Sequence, residues 1–169
     1  MKRSSFLATI LAMCCCGGCW LMQAPENRPA ENYDLAPAQP GEKTVCRFSR
    51  IRNLSPAGRK MLYRQPDNRM TESTASWVQT PEALLQRALE SRFLPGDGAP
   101  EIRITLLRFE LDLAAEQAFL VLDLQKAETV RRLEFAAPLT DRSGSAAARA
   151  MSECVDKLAN SIRTMIQEK

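Results

Sequence analysis

Three features of this 169-residue chain predict an α+β fold, an antiparallel sheet with two helices packed on one face. Between Ile102 and Ala137 three runs of alternating apolar and polar side chains follow one another with short turns between them, as in an antiparallel meander. Two further stretches, one opened by Thr80-Pro81-Glu82 and one by Ser143-Gly144-Ser145, repeat apolar residues every three or four positions, the period of a helix with one buried face. Sheet and helices each carry one apolar side, and packing them together is the simplest way to bury both.

The elements follow in order. Lys2 and Arg3 precede the apolar run Phe6 to Met13, and small residues lead to Gly17-Gly18-Cys19. A positive start, a short apolar core and a small-residue cleavage point make an export signal, and a cysteine after two glycines adds the lipobox of a bacterial lipoprotein. Cys19 is then the lipid-bearing first residue of the mature protein, although Cys16 stands where such motifs usually carry leucine. The alternative is an uncleaved anchor, since Phe6 to Met22 reaches the short end of the roughly 17 to 25 residues that span a bilayer. Both readings place the rest of the chain outside the cytoplasm and at a membrane. Multiple acyl chains satisfy the two-signal requirement for stable anchoring, and Trp20 rather than Asp after Cys19 favours the outer membrane of a double-membraned bacterium. The expected organisation is a signal peptide over 1–18, a lipidated Pro-rich tether over 19–43 and one folded domain over 44–169.

The tether holds Pro25, Pro29, Pro37 and Pro40 among polar residues and alanine, and would reach about 75 Å if stretched in polyproline form. Tyr33-Asp34-Leu35 interrupts it and is expected to dock on the domain. Thr44 to Ile51 alternates as a strand, with Cys46 and Phe48 on one side. A loop follows at 53–58, and Met61 to Arg64 pairs with Asn68 to Thr74 about Gln65-Pro66-Asp67. Thr80 is an N-cap, Pro81 the first helical residue and Glu82 an acid in the first turn; Leu84, Leu85, Ala88 and Leu89 form the stripe. Ile102, Ile104 and Leu106 then share one strand face, while Leu107, Phe109, Leu111 and Leu113 continue in the opposite phase, which a β-bulge near Leu106-Leu107 reconciles. Ala118 to Gln125 and Val130 to Ala137 are the next strands, the last ended by Pro138. In the final helix the stripe is Ala148, Met151, Cys154, Val155, Leu158, Ala159, Ile162, Met165 and Ile166.

Composition excludes much chemistry. There is no histidine, so neither a Ser-His nor a Cys-His nucleophile nor a mixed Cys/His zinc site can be built. The mature part retains Cys19, Cys46 and Cys154, which rules out a four-cysteine site. Cys46 and Cys154 are either a disulfide, which an exported compartment permits, or two buried thiols. Gly96-Asp97-Gly98 with Pro100 reads as a turn rather than a phosphate loop. The signal holds two of the 23 basic residues and none of the 20 acidic ones, leaving a mature net charge of +1, which argues against nucleic acid. No cofactor is expected. Arg47, Arg50, Arg52, Arg59, Lys60 and Arg64 cluster, as a solvated strand face or as a surface for anionic lipid or an acidic partner. Glu110 and Asp112, two apart, fall on one strand side that is expected to face solvent.

A lipobox, a tether with Tyr33 and Leu35, a strand, Leu62-Tyr63-Arg64, a hairpin, Trp77 before a helix, a three-stranded meander and a terminal helix occur in that order. This order resembles the ABC-type transport auxiliary lipoproteins of the paraquat-inducible protein C type, most closely at Tyr63-Arg64 and from Trp77 to Leu89, and least over Leu54 to Lys60, where this chain is more basic. The resemblance implies a non-enzymatic outer-membrane lipoprotein. It implies as partners an ABC permease and ATPase and a mammalian-cell-entry-type periplasmic lipid-binding protein, with assembly into a homo-oligomer as a further expectation. A scaffold lipoprotein for envelope assembly or secretion is the competing reading. Tyr63, Arg64 and Trp77 are candidate partner contacts, because exposed Trp, Tyr and Arg dominate interface energetics; the alternative for Trp77 is a place in the core.

Overall fold

The computed structural model describes residues 31–37 and 44–167. The signal segment, Cys19 and most of the tether lie outside the described residues. Among those described, the chain forms β1 (Asn32–Tyr33), β2 (Thr44–Val45), β3 (Arg47–Phe48), β4 (Arg52–Asn53), β5 (Lys60–Arg64), β6 (Met70–Trp77), α1 (Pro81–Glu90), β7 (Phe93–Leu94), β8 (Glu101–Asp112), β9 (Gln117–Lys126), β10 (Thr129–Pro138) and α2 (Gly144–Gln167). The class is α+β with two helices, as the periodicities predict.

The main sheet runs β1-β6-β5-β8-β9-β10, with β3 and β4 also paired to β8, while β2 and β7 form a separate ribbon. The meander and the β5–β6 hairpin are antiparallel. The sheet as a whole is mixed, however, because β1 runs parallel to β6 and β3, β4 and β5 run parallel to β8. For the three pairings with β8 the physical reason is α1, which lies between β3, β4 and β5 and their partner, since a parallel pair requires a long crossover connection, usually helical; β1 precedes the helix and reaches β6 through the intervening strands.

The bulge falls between Leu106 and Arg108. It brings Ile102, Ile104 and Leu106 onto the same face as Phe109 and Leu111, all of them buried. Leu120, Leu122 and Leu124 from β9 join them, and Met151, Cys154, Val155, Leu158 and Ile162 of α2 complete the core. Thr80 stands at the cap position of α1, but its hydroxyl donates to Glu82 Oε1 at 2.7 Å rather than accepting from the helix backbone.

Residues 33–35 dock. Leu35 is buried, the Ala36 N–H donates to Ser152 Oγ at 2.8 Å, and Arg87 pairs with Asp34. The Tyr33 ring lies so close to α2 that a Cβ at Gly144 would sit 2.2 Å from its Cε2. Only glycine fits there without moving the ring.

The thiols correct one alternative. Cys46 and Cys154 are both free and buried, so no disulfide joins them. Cys46 Sγ lies 3.7 Å from the Pro100 carbonyl, just before β8, whereas Cys154 Sγ lies 3.6 Å from that of Ala118, which pairs with Leu111 near the far end of the same strand. Ten strand residues span about 33 Å, well beyond the Cα separation of about 7 Å that a disulfide tolerates. Burial pushes the Cys46 thiol up to about 11 and the Cys154 thiol up to about 12, so both stay protonated and unreactive at neutral pH.

Candidate functional site

The three sequence-predicted contact residues part company in the structure. Trp77 is only 2% exposed and packs edge-on against Phe109, with ring centroids 5.3 Å apart. Its place in the core is the reading that holds, and it offers no side chain to a partner. Tyr63 is buried as well, paired in register with Leu111 on the core side of the sheet. Arg64, the next residue, points to the opposite side by strand alternation and is half-buried. Of the three it alone reaches the surface.

On that helix-free face Arg64 meets Glu110. Its Nε donates to Glu110 Oε1 at 2.7 Å, and the same oxygen accepts from Arg108 Nη2 at 2.5 Å and Nε at 3.1 Å. The Arg108 guanidinium also lies over the Phe119 ring, 4.9 Å from its centroid, a cation–π contact. Cross-strand register explains the grouping: Arg64 pairs with Asp112, and Glu110 with Phe119.

Glu110 is 1% exposed, which corrects the expectation that it faces solvent; the two arginines cover it. Burial by itself would raise its carboxyl pKa, but the hydrogen bonds and charges of Arg64 and Arg108 outweigh burial and hold it below the ordinary glutamate value. Pairing with Glu110 in turn raises Arg64. A carboxylate so covered and so strongly held is a poor general base, and what the cluster presents outward is the positive side of two guanidiniums. The remainder of this face is dressed with ion pairs, such as Arg132 bidentate on Asp123 at 2.8 and 3.0 Å.

A depressed folded-state pKa means that the Glu110 contribution is full above the unfolded glutamate value of about 4.3 and is lost as pH falls through the folded value. Glu110→Gln should therefore cost about 3 kcal/mol at pH 7, the low end for breaking a buried pair because the freed guanidiniums can reach water. The loss should shrink below pH 4. Urea midpoints at pH 7 and pH 3.5 check it, and an equal loss at both would contradict the ion-pair account.

Sequence reasoning missed Arg108 and Phe119. Arg108 is two residues before Glu110 and so shares its side of β8, a signal available in the alternation, whereas the approach of Arg64 and Phe119 depends on pairings between distant segments. Among the described residues no group of three or more acidic or cysteine side chains converges to hold a metal, and no helix is long and apolar enough to cross a membrane.

No family model matches the chain, and no curated protein does. Solved structures share its fold, two of them as follows. One, described only as an uncharacterized protein, superposes with a TM-score of 0.65 at 10% identity, over 80% of this chain and 97% of its own. The other is the protein XCC0632 from Xanthomonas campestris, of family model DUF330, with a TM-score of 0.60 at 14% identity, over 78% of this chain and 91% of its own. At these identities the likeness is one of fold.

Proposed function

We propose that this chain is a lipid-anchored subunit of an intermembrane lipid transport system, held at the outer membrane through Cys19 and acting by binding rather than by catalysis. Its partners in this reading are a mammalian-cell-entry-type periplasmic protein and the ABC permease and ATPase that drive it. The observation that carries the proposal is the docked segment at residues 33–37. A tether that merely linked an anchor to a domain would have no need to bury Leu35, engage Ser152 and fit Tyr33 over Gly144. Fixing the chain there leaves a stretch from Cys19 to Glu31 that can span at most about 40 Å. A domain anchored within that span works beside its membrane and must be met by a partner that crosses the periplasm.

The contact face in this reading is the one around Arg64 and Arg108, since Trp77 and Tyr63 are buried. The experiment is photo-cross-linking in intact cells from a probe at Asp112, beside Arg64 on the open face. Capture of a mammalian-cell-entry-type protein is expected. It should fall at least about tenfold in Arg64→Gln/Arg108→Gln, since arginines are prominent among interface anchors, and also in Cys19→Ala, which removes the acyl attachment point along with palmitate labelling. Palmitate incorporation that persists in Cys19→Ala overturns the anchor, and capture of a secretion apparatus alone puts the scaffold reading in its place.

A further inference from the structure

The helix-free face is not the only surface with an unusual composition. Lys43 to Pro66 contains seven Lys and Arg residues and no Asp or Glu. Within it Arg47, Arg50, Arg52, Arg59 and Lys60 are exposed. A second observation, independent of charge, falls in the same place. The large apolar side chains left exposed among the described residues are Val45 (44%), Leu54 (54%), Leu94 (42%) and Val130 (58%). Three of these four belong to this region, for Leu54 follows Arg52 by two residues and Val45 pairs with Leu94 across the β2–β7 ribbon.

We propose that this edge of the domain is a second membrane contact, an interfacial strip that rests on anionic lipid headgroups with Leu54, Val45 and Leu94 dipping into the interface. The proposal uses the lipid anchor only to bring the strip to the bilayer.

Position supports it. β3 and β4 pair only with β8, so residues 47–53 form an outer margin of the sheet. The segment runs alongside β8 from Glu101 towards Asp112, the strand direction that also carries β5. Glu31, where the described chain begins, is seated at the Arg59 end of the strip: the Ser76 N–H donates to the Glu31 carbonyl and the Trp77 N–H to that of Arg59. Successive strands lie about 4.8 Å apart, so the arm that carries the anchor leaves the domain within about 10 Å of the basic segment. An acyl chain at Cys19 would thus draw this edge, rather than β10, towards the membrane.

Charge supports it too, with the acids counted. Glu101 accepts from Ser49 and sits near Arg47 and Arg103, Glu82 lies near Arg50, and Glu72 pairs with Lys60 at 3.2 Å. With Glu31 at the Arg59 end, four acids face Arg47, Arg50, Arg52, Arg59, Lys60 and Arg103, so the strip stays positive, and clustered Arg and Lys beside a membrane are the recognised attraction to acidic headgroups.

The occupant is lipid rather than an acidic protein, because a protein interface is built on aromatic anchors seated in packed pockets. Here Trp77 and Tyr63 are buried and Tyr33 packs on α2. What the strip exposes is single aliphatic side chains flanked by arginine, the pattern of an interfacial contact.

The test uses the acylated protein purified from membranes, carrying an environment-sensitive dye on Leu54→Cys; Cys46 and Cys154, buried with raised pKa values, leave that thiol as the reactive one. With vesicles of equal parts phosphatidylglycerol and phosphatidylcholine the dye emission should shift to the blue. With phosphatidylcholine alone, where the anchor still holds the protein, it should not. The shift should be reversed by about 0.5 M salt and lost in Arg50→Glu/Arg52→Glu, with Arg47→Gln/Arg59→Gln as the second variant should the first lose its cooperative melt. A dye at Val130→Cys on the opposite edge should stay water-like throughout. An unshifted dye at position 54 on anionic vesicles overturns the proposal, as does an equal shift on neutral ones. A shift produced by poly-glutamate but not by vesicles also overturns it, and assigns the strip to an acidic protein. Mass spectrometry reports acylation separately, so an unacylated protein would sink the anchor while the anionic-vesicle result still decides the strip.

Discussion

Leu158→Asp is expected to abolish the folded domain. Leu158 lies mid-way along α2, fully buried, one helical turn from Cys154 and Ile162 and flanked by Val155 and Ala159 on the same stripe. The Cys154 thiol, a weak donor, is already turned to the Ala118 and Phe135 carbonyls and the other side chains are hydrocarbon, so the substitution removes a packed aliphatic side chain and leaves an unpaired charge in its place. Either the charge stays buried, or the carboxyl is protonated at a cost set by its shifted pKa, or the helix lifts away from β9 and β10. Each route costs about 4 kcal/mol or more, and the lost leucine packing adds about 2–5 kcal/mol, a sum comparable with the total stability of about 5–15 kcal/mol for a domain of this size. Circular dichroism at 25 °C should show loss of the cooperative melt. Asn160→Asp, on the exposed side of the same helix beside Arg163, should change stability by no more than about 0.5 kcal/mol. A wild-type melt for Leu158→Asp would mean that the helix phase is wrong.

That phase was legible because α2 is long: over 24 residues a three-and-four repeat leaves only one solution. The meander was legible for the same kind of reason, and the bulge could be placed because two alternating runs in opposite phase cannot otherwise share one buried face. The parallel pairings were not. Thr44 to Asn53 carries no periodic signature of its partner, and its strands β2, β3 and β4 are two residues each. Whether so short a strand runs with or against its partner, β7 for the first and β8 for the other two, is decided by the α1 crossover, a long-range event. The two cysteines posed the same difficulty, since their separation depends on where each falls along β8.

The candidate site was legible in part. Arg64 was singled out, and the structure keeps it at the surface. Glu110 was read as solvent-facing because alternation reports which side of a strand a residue occupies, not what lies over it; two arginines, one from a distant strand, bury it. The basic run from Arg47 to Arg64 was visible as composition. Its coincidence with Leu54, Val45 and Leu94 was not, since Leu94 joins the group only through the β2–β7 ribbon.

Trp77 was open to two readings, and the choice between them has a large measurable consequence. Trp77→Ala should destabilise the domain by about 3–5 kcal/mol, the range for emptying a core aromatic site. The indole ends β6 where it turns towards α1, buried against Phe109, and the surrounding backbone is held by the Trp77 N–H donated to Arg59 and the Val78 N–H donated to Tyr33. Strands on both sides are thus fixed, and the cavity cannot close by collapse. Trp77→Phe should cost less, because a smaller ring retains part of the contact. The edge-on pair itself is separable by a double-mutant cycle with Phe109→Leu, in which a coupling of about 0.5–1.5 kcal/mol is expected beyond the burial of each ring. Urea midpoints measure Trp77→Phe and the four proteins of the cycle, and a Trp77→Ala variant as stable as wild type would return Trp77 to the surface. The consequence for function is direct. Loss of partner capture in Trp77→Ala would report unfolding, not a missing contact, so a binding test belongs on Arg64 and Arg108, outside the Trp77–Phe109 core; because glutamine at both also strips buried Glu110 of its partners, capture is read only where the variant keeps its cooperative melt, with the single Arg64→Gln as the milder change.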